Sequence, residues 1–146
     1  ISRLTEQKNL PTMLRAFHEY NSSNQESRLS ILGAGPLRNV LGDLTKELNI
    51  SNSVRFCGRS AKVYEFLSEL DVFILTSNYE GFGLVLLEAM DARVPIVASR
   101  NSAIPEVLGI SYPFLAKVDD EADFASKILE FQKIENPGYP GFFLNI

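Results

Sequence analysis

Short apolar runs alternating with stretches of helical periodicity predict an α/β fold built on an open, doubly wound parallel sheet. Three observations carry that reading. The apolar runs at residues 28–33, 54–57, 72–75 and 95–98 are four to six residues long and lack polar alternation, as strands covered on both faces require. Between them lie stripes of apolar residues at helical spacing, the form taken by the crossovers of parallel strands. The composition, 45% hydrophobic and 22% charged over 146 residues, fits one globular domain of ordinary size.

Taken in order, Leu10, Met13, Leu14, Phe17 and Tyr20 mark the first helix, with Asn9 as its cap and Pro11 in its first turn. Residues 28–33 (RLSILG) form a buried strand, and Leu37, Val40, Leu41, Leu44 and Leu48 a second helical stripe. A strand at 54–57 ends at Gly58, and Val63, Phe66, Leu67 and Leu70 make a third helix. The continuous apolar strand 72–75 leads to a helix over 83–92, a strand at 95–98 and a short helical turn at 105–108. Phe124, Ala125, Ile128 and Leu129 form the last stripe, capped by Asp119 or Asp120. The tail 136–146 (NPGYPGFFLNI) carries Phe142, Phe143 and Leu144 and is expected to lead to, and pack on, a part of the protein outside this sequence. The start at Ile1, without a charged leader or signal-type segment, reads as a piece of a longer chain.

Charge and cysteine usage exclude several classes. Fourteen basic against 18 acidic side chains give a net charge of −4, and no basic face of the kind that binds nucleic acid follows. Cys57, the single cysteine, cannot form an internal disulfide, and the single histidine, His18, excludes multi-histidine metal sites. Cys57 reads as inert core within its strand, and His18 as a boundary residue of the first helix. No apolar run approaches the roughly 20 residues that cross a bilayer. Gly33-x-Gly35 followed by Pro36 lacks the third glycine of a dinucleotide fingerprint and reads as a turn. The acidic run Asp119, Asp120, Glu121, Asp123 reads as a helix start, not a metal site.

Sheets of this class bind ligands beyond the carboxyl ends of their strands, here the loops 1–9, 33–37, 58–62, 76–83 and 99–105. The stretch 76–92, TSNYEGFGLVLLEAMDA, is the most informative. Two glycines let the backbone approach a ligand closely, and the helix that follows offers unpaired N–H groups near residues 83–86, a site for an anion such as phosphate. Glu80 in the loop and Glu88, about one and a half turns into the helix, would repel phosphate but suit vicinal hydroxyls, which a carboxylate can accept in pairs. Phosphate between two diols describes a sugar nucleotide. That reading requires the two carboxylates to share one surface and to be free of internal lysines.

The Glu80-x7-Glu88 spacing within EGFGLVLLEAM resembles the signature of the retaining, two-domain (GT-B) glycosyltransferases of the glycogen-synthase-like superfamily, family 4 or glycosyl transferases group 1. The similarity extends through Ile1-Ser2-Arg3-Leu4 with Lys8, Leu32-Gly33-Ala34-Gly35-Pro36-Leu37, Val54 to Gly58, Asp71 to Ser77, Pro95 to Ser99 and Ile104 to Val107. It implies a Rossmann-like domain, the C-terminal half of a GT-B fold, with residues 1–135 binding the donor. It implies further that Arg3 and Lys8 neutralise the departing diphosphate, that amides near Leu84 and Val85 hold a phosphate, and that Glu88 holds the ribose. By the same resemblance Glu80, with the amides of Gly81, Phe82 and Gly83, holds the transferred sugar, and backbone near Gly58 and Arg59 faces the base. Two cations and a helix end can replace a divalent metal at the leaving group, so no metal and no further cofactor is expected.

The partners implied are a nucleotide sugar and a carbohydrate or lipid-linked acceptor held by an N-terminal domain outside this sequence. The setting implied is the cytoplasm or the cytoplasmic face of a membrane. The chain departs from the family at Arg93, at Ser102-Ala103 and at Ser2 and Asn9, where the family favours glycine. Two alternatives stand beside a polysaccharide- or lipid-directed transferase: a sugar-nucleotide 2-epimerase, which shares the architecture, and a nucleotide-sugar-binding module without chemistry. The isolated chain is expected to bind donor weakly and transfer nothing.

Overall fold

The computed structural model describes residues 3–133. A 3-10 turn at Glu6–Lys8 precedes α1 (Leu10–Ser23), and the chain continues through β1 (Leu29–Leu32), α2 (Arg38–Glu47), β2 (Val54–Gly58), α3 (Val63–Ser68) and β3 (Phe73–Leu75). Then come α4 (Leu84–Asp91), β4 (Ile96–Ser99), α5 (Ile104–Leu108), β5 (Leu115–Ala116) and α6 (Glu121–Gln132). Residues Ile1 and Ser2 and the expected packing of the tail 136–146 lie outside the described residues. Among the described residues, no helix is long and apolar enough to cross a membrane.

Every strand pairing is parallel, as the α/β reading expects. The strands form two ladders, β1–β2 and β3–β4–β5, with no hydrogen-bonded pairing between β1 and β3. The double winding is visible in single strands. Along β4, Ile96 and Ala98 join a core with Leu67 of α3, Leu86 and Ala89 of α4 and Ile104 of α5. The intervening Val97 turns to the other face and packs with Ala16 of α1 and Phe124 and Ile128 of α6. Because side chains alternate across a strand, one apolar run serves two helical layers, and β4 is buried along its whole length. The first ladder is covered differently. Leu29 and Ile31 of β1 pack with Leu14 and Phe17 of α1 and Leu41 of α2. β2 is an edge strand and only half-buried, so Cys57 lies at an accessible margin and not in the core expected for it. Arg38 stacks its guanidinium 3.8 Å from the Phe56 ring, covering part of that edge.

Three of the positions where the family favours glycine share a cause, whereas Ala103, at φ −73°, does not and Ser2 lies outside the described residues. Asn9, Arg93 and Ser102 all adopt positive φ, at 46°, 57° and 51°. Arg93 closes α4 with a Schellman pair, its N–H donating to the Met90 carbonyl and that of Val94 to Ala89. Asn49, at φ 56°, closes α2 in the same way. At the other end of the chain Asp120, not Asp119, caps α6 by accepting from the Asp123 N–H at 2.9 Å. Gly35 is required for a separate reason: a Cβ there would lie 2.5 Å from the Leu4 carbonyl oxygen and 2.7 Å from its nitrogen.

Replacing Arg93 with glycine relieves a left-handed conformation costing about 1–2 kcal/mol and adds back part of that as glycine entropy. Arg93→Gly is therefore expected to raise stability by about 0.5–1 kcal/mol in urea unfolding, and Asn49→Gly by less, since asparagine tolerates this region. Gly35→Ala forces two backbones apart and is expected to lower stability by about 1–3 kcal/mol in the same measurement.

Candidate functional site

The carboxyl ends of the strands are bound together by their loops. Leu4 donates its N–H to the Ala34 carbonyl just beyond β1, and Gly33 donates to the Gly58 carbonyl at the end of β2. Further along, Asn78 donates its N–H to the Gln7 carbonyl at 2.9 Å, and Gln7 returns a side-chain hydrogen bond to the Tyr79 carbonyl. Thr76, buried at the end of β3, donates its hydroxyl to the carbonyls of Lys8 and Asn9. Asn9 spans three loops: its Nδ2 donates to Asn78 Oδ1 at 3.0 Å and to Asp119 Oδ1 at 2.5 Å. Asn9 stands at the cap position of α1 but caps no helix N–H with its side chain. Asn101, beyond β4, donates to the Asn78 carbonyl. Thus the loops after β3, β4 and β5 and the segment 3–9 form one hydrogen-bonded surface.

At the centre of this surface Lys8 Nζ lies 2.5 Å from Glu80 Oε1, with only 14% and 8% of the two side chains exposed. Ser77 donates its hydroxyl to the same oxygen at 2.7 Å. Glu80 is therefore not a carboxylate free of internal lysines, and that requirement of the sequence reading is not met as stated. Its partner is another of the expected site residues, brought to it across 72 positions of sequence. Both contacts fall on Oε1; among the described residues Oε2 accepts no hydrogen bond. An ammonium carries three donors, so Lys8 can hold Glu80 and still present N–H groups to a second anion.

Glu80 is followed by exposed Gly81 and Phe82 and by buried Gly83, which takes φ 71° as the N-cap of α4. A Cβ at Gly83 would press on Leu86 Cδ1 at 3.0 Å, so both the conformation and the packing call for glycine. No side chain caps α4, and the Leu86 N–H turns back to the Gly83 carbonyl at 2.7 Å. The amides of Leu84 and Val85, in the first turn, have no acceptor within the helix. Glu88 lies one turn beyond Leu84 on the exposed side of α4. Arg3 is exposed beside Leu4, and Gly58, at φ 70°, with exposed Arg59 joins this rim through Gly33. Lys8 and Glu80 are thus brought into contact, and Gly81 to Glu88 follow contiguously. Arg3, Gly58 and Arg59 border the same strand ends without touching that pair.

Sequence reasoning missed Ser77, Asn78 and Gln7, which hold the loop in place. The Ser77–Glu80 spacing, a hydroxyl three residues ahead of a carboxylate, was the available signal. Asp119, one of the two residues expected to cap the last helix, instead takes φ 57° and turns its carboxylate onto Asn9. Among the described residues, no group of three or more His, Cys, Asp or Glu side chains is arranged to hold a metal ion.

The pattern of the family described as glycosyl transferases group 1 matches residues 1–137. The chain is 33% identical over 136 residues to N-acetyl-alpha-D-glucosaminyl L-malate synthase of Bacillus anthracis, covering 92% of this chain and 35% of that protein. It is 35% identical over 100 residues to a lipopolysaccharide core biosynthesis glycosyltransferase of Rhizobium meliloti, covering 68% of this chain and 28% of that protein. The chain thus spans about a third of the length of these curated relatives. Among solved structures, an Anabaena protein in complex with UDP-glucose superimposes with a TM-score of 0.83 at 22% identity, over 91% of this chain and 38% of that one. A pneumococcal O-GlcNAc transferase in complex with UDP and GlcNAc gives 0.82 at 21%, over 90% and 28%. At these identities the two structures show a shared GT-B, Rossmann-like fold.

Removing Lys8 leaves a carboxylate out of water with only a hydroxyl to hold it. Lys8→Ala is expected to lower stability by about 3 kcal/mol, and the double variant with Glu80→Gln by clearly less. Urea unfolding of the four members of that cycle measures the coupling.

Proposed function

The chain belongs to the glycosyl transferases group 1 family, and from that premise we propose that residues 1–135 form the C-terminal, donor-binding domain of a retaining glycosyltransferase. In this reading the complete protein moves a sugar from a nucleoside-diphosphate sugar to a polysaccharide or lipid-linked acceptor held by an N-terminal domain. The observation that carries it is the Lys8–Glu80 contact set beside the uncapped start of α4. The names of relatives and neighbours support it. A solved neighbour was crystallised with UDP-glucose, and a Campylobacter jejuni relative, 30% identical over 123 residues, acts on a diphospho-undecaprenol-linked glycan by its name.

Negative charge builds on the diphosphate as the glycosidic bond to the donor breaks. Lys8, Arg3 and the Leu84 and Val85 amides are the groups able to meet it, and preorganised donors of this kind cost no rearrangement at the moment of reaction. Lys8 would then bridge phosphate and Glu80, leaving Glu80 Oε2 and the Gly81–Gly83 amides for the hydroxyls of the transferred sugar. Glu88, one turn into α4, would accept from the ribose diol, and the Gly58–Arg59 backbone would face the base. With two cations and a helix end in place, the leaving group needs no divalent metal in this half of the site. The cytoplasm or the cytoplasmic face of a membrane is the corresponding setting. The isolated domain, holding one wall of a two-domain cleft, would bind donor and transfer nothing.

Calorimetry against UDP, GDP and ADP and their sugars, with EDTA present, tests the reading. Binding of at least one nucleotide is expected, and silence from all of them at millimolar concentration overturns it. Glu88→Ala is expected to weaken the nucleoside diphosphate about tenfold or more, since two charge-assisted hydrogen bonds are lost. Glu80→Ala should leave the diphosphate within about threefold and remove the added affinity of the nucleotide sugar. Equal small effects from both variants would contradict the roles assigned.

A further inference from the structure

Lys8 is placed by the residue that follows it. At Asn9 the 3-10 turn gives way to α1, and the junction is made at φ 46° and ψ 47°, a left-handed conformation that needs holding in a residue other than glycine. Asn9 is buried, and both hydrogens of its amide are committed. Nδ2 gives one to Asp119 Oδ1 at 2.5 Å and the other to Asn78 Oδ1 at 3.0 Å, while Asn9 Oδ1 accepts from the Thr12 hydroxyl at 3.1 Å. Asp119 decides that arrangement. An ionised carboxylate only accepts, so the Asn9 atom against it is nitrogen, and the Asn78 atom on the same nitrogen is oxygen. A rotated Asn9 amide would set oxygen against the carboxylate.

Asp119 reaches this junction from outside the segments that meet there. The other ties of residues 7–9 to the strand ends lead to one loop: Thr76 donates to the Lys8 and Asn9 carbonyls, Asn78 to the Gln7 carbonyl, Gln7 to the Tyr79 carbonyl and Lys8 to Glu80. Turn and loop can shift together while all of these hold. Asp119, between β5 and α6, is pinned on both sides: the Lys117 N–H donates to Asp123 Oδ2 at 2.8 Å, and the Asp123 N–H to Asp120 Oδ1 at 2.9 Å. It therefore ties the junction to the start of α6. We propose that Asp119 is a positioning residue: by locking Asn9 it holds the Lys8 turn, and with it the ammonium, in the conformation that meets the diphosphate of a nucleotide sugar. It acts through Asn9 and needs no contact with the ligand. An unlocked turn occupies that conformation for only a fraction of the time, and the apparent affinity falls by the same fraction. The inference rests on the donor-binding reading and adds to it a residue that reading does not use.

Calorimetry of residues 1–146 with UDP, GDP and ADP, together with amide hydrogen exchange at Lys8, Asn78 and Ile128, compares the unaltered chain with Asp119→Gly and Asp119→Asn. Glycine suits φ 57° and removes the carboxylate, so the fold is kept while the lock is lost. Asparagine tolerates the same conformation, and its amide oxygen still accepts from Asn9. Asp119→Gly is expected to weaken the bound diphosphate about fivefold or more and to speed exchange at Lys8 and Asn78 by a similar factor, with Ile128 unmoved. Asp119→Asn should stay within about twofold of the unaltered chain in both measurements. Unchanged exchange in Asp119→Gly overturns the proposal, as does faster exchange at full diphosphate affinity. Exchange that speeds equally at Ile128 marks a general loss of structure, and equal losses from glycine and asparagine assign the effect to charge; either result overturns it too. Failure of the donor-binding reading looks different: the unaltered chain then binds none of the three nucleotides, and the role assigned to Asp119 falls with it.

Discussion

The carboxylate of Glu80 is held out of water by one ammonium and one hydroxyl, and the surrounding surface is organised by that requirement. A carboxylate in such a place is tolerable only with a cation in contact, and the cation comes from the opposite end of the sequence. Bringing Lys8 to Glu80 obliges the segment 3–9 to lie across the strand ends, where Thr76, Asn78 and Gln7 secure it through backbone atoms. The same anchoring places Arg3 and the start of α4 along one rim. The ion pair is therefore a stabilising contact within a surface whose loops are also fastened by hydrogen bonds of their own.

Backbone conformation at this rim is less relaxed than in the core. Asn9, Ser102 and Asp119 all take left-handed φ values in the loops that meet there, and Gly58 and Gly83 do so at its glycines. Non-glycine residues in that region carry a cost that the surrounding hydrogen bonds must offset. Asn9 does this through three side-chain partners and Asp119 through Asn9. Arg93 has no such partner among the described residues, but the helix closure it provides for α4 is fully hydrogen-bonded in the backbone. An asymmetry between loops held by side chains and a helix end held by backbone alone follows from these contacts.

The core divides along the same line as the sheet. Around β4, every residue is buried and serves a layer of helices on either face, so that half of the molecule is closed. Around β1 and β2, one face is packed on α1 and α2 while the margin bearing Cys57 stays accessible. Ile74 packs against both of these clusters, and α1 contributes Leu14 and Phe17 to one and Ala16 to the other, so the two ladders share packing although β1 and β3 are not paired.

Local pattern was enough for the class and for most of the secondary structure, but not for the two-residue β5 or the 3-10 turn at Glu6–Lys8, which are too short to show a period. Apolar runs such as those at β3 and β4 can only be buried, and the stripes of α1, α2 and α6 can only be helices, because side-chain period and apolar content are properties of neighbouring residues. The glycine-bounded turn into α4 was legible for the same reason. Three things were not: the pairing of Lys8 with Glu80, the three-loop bridge of Asn9 and Asp119, and the division of the sheet into two ladders. Each depends on groups tens of residues apart, and the sequence carries no local trace of a hydrogen bond whose partners meet only after the strands align. Residue chemistry and spacing determined which groups were able to act at the strand ends; the parallel stacking of the strands alone decided which of them touch.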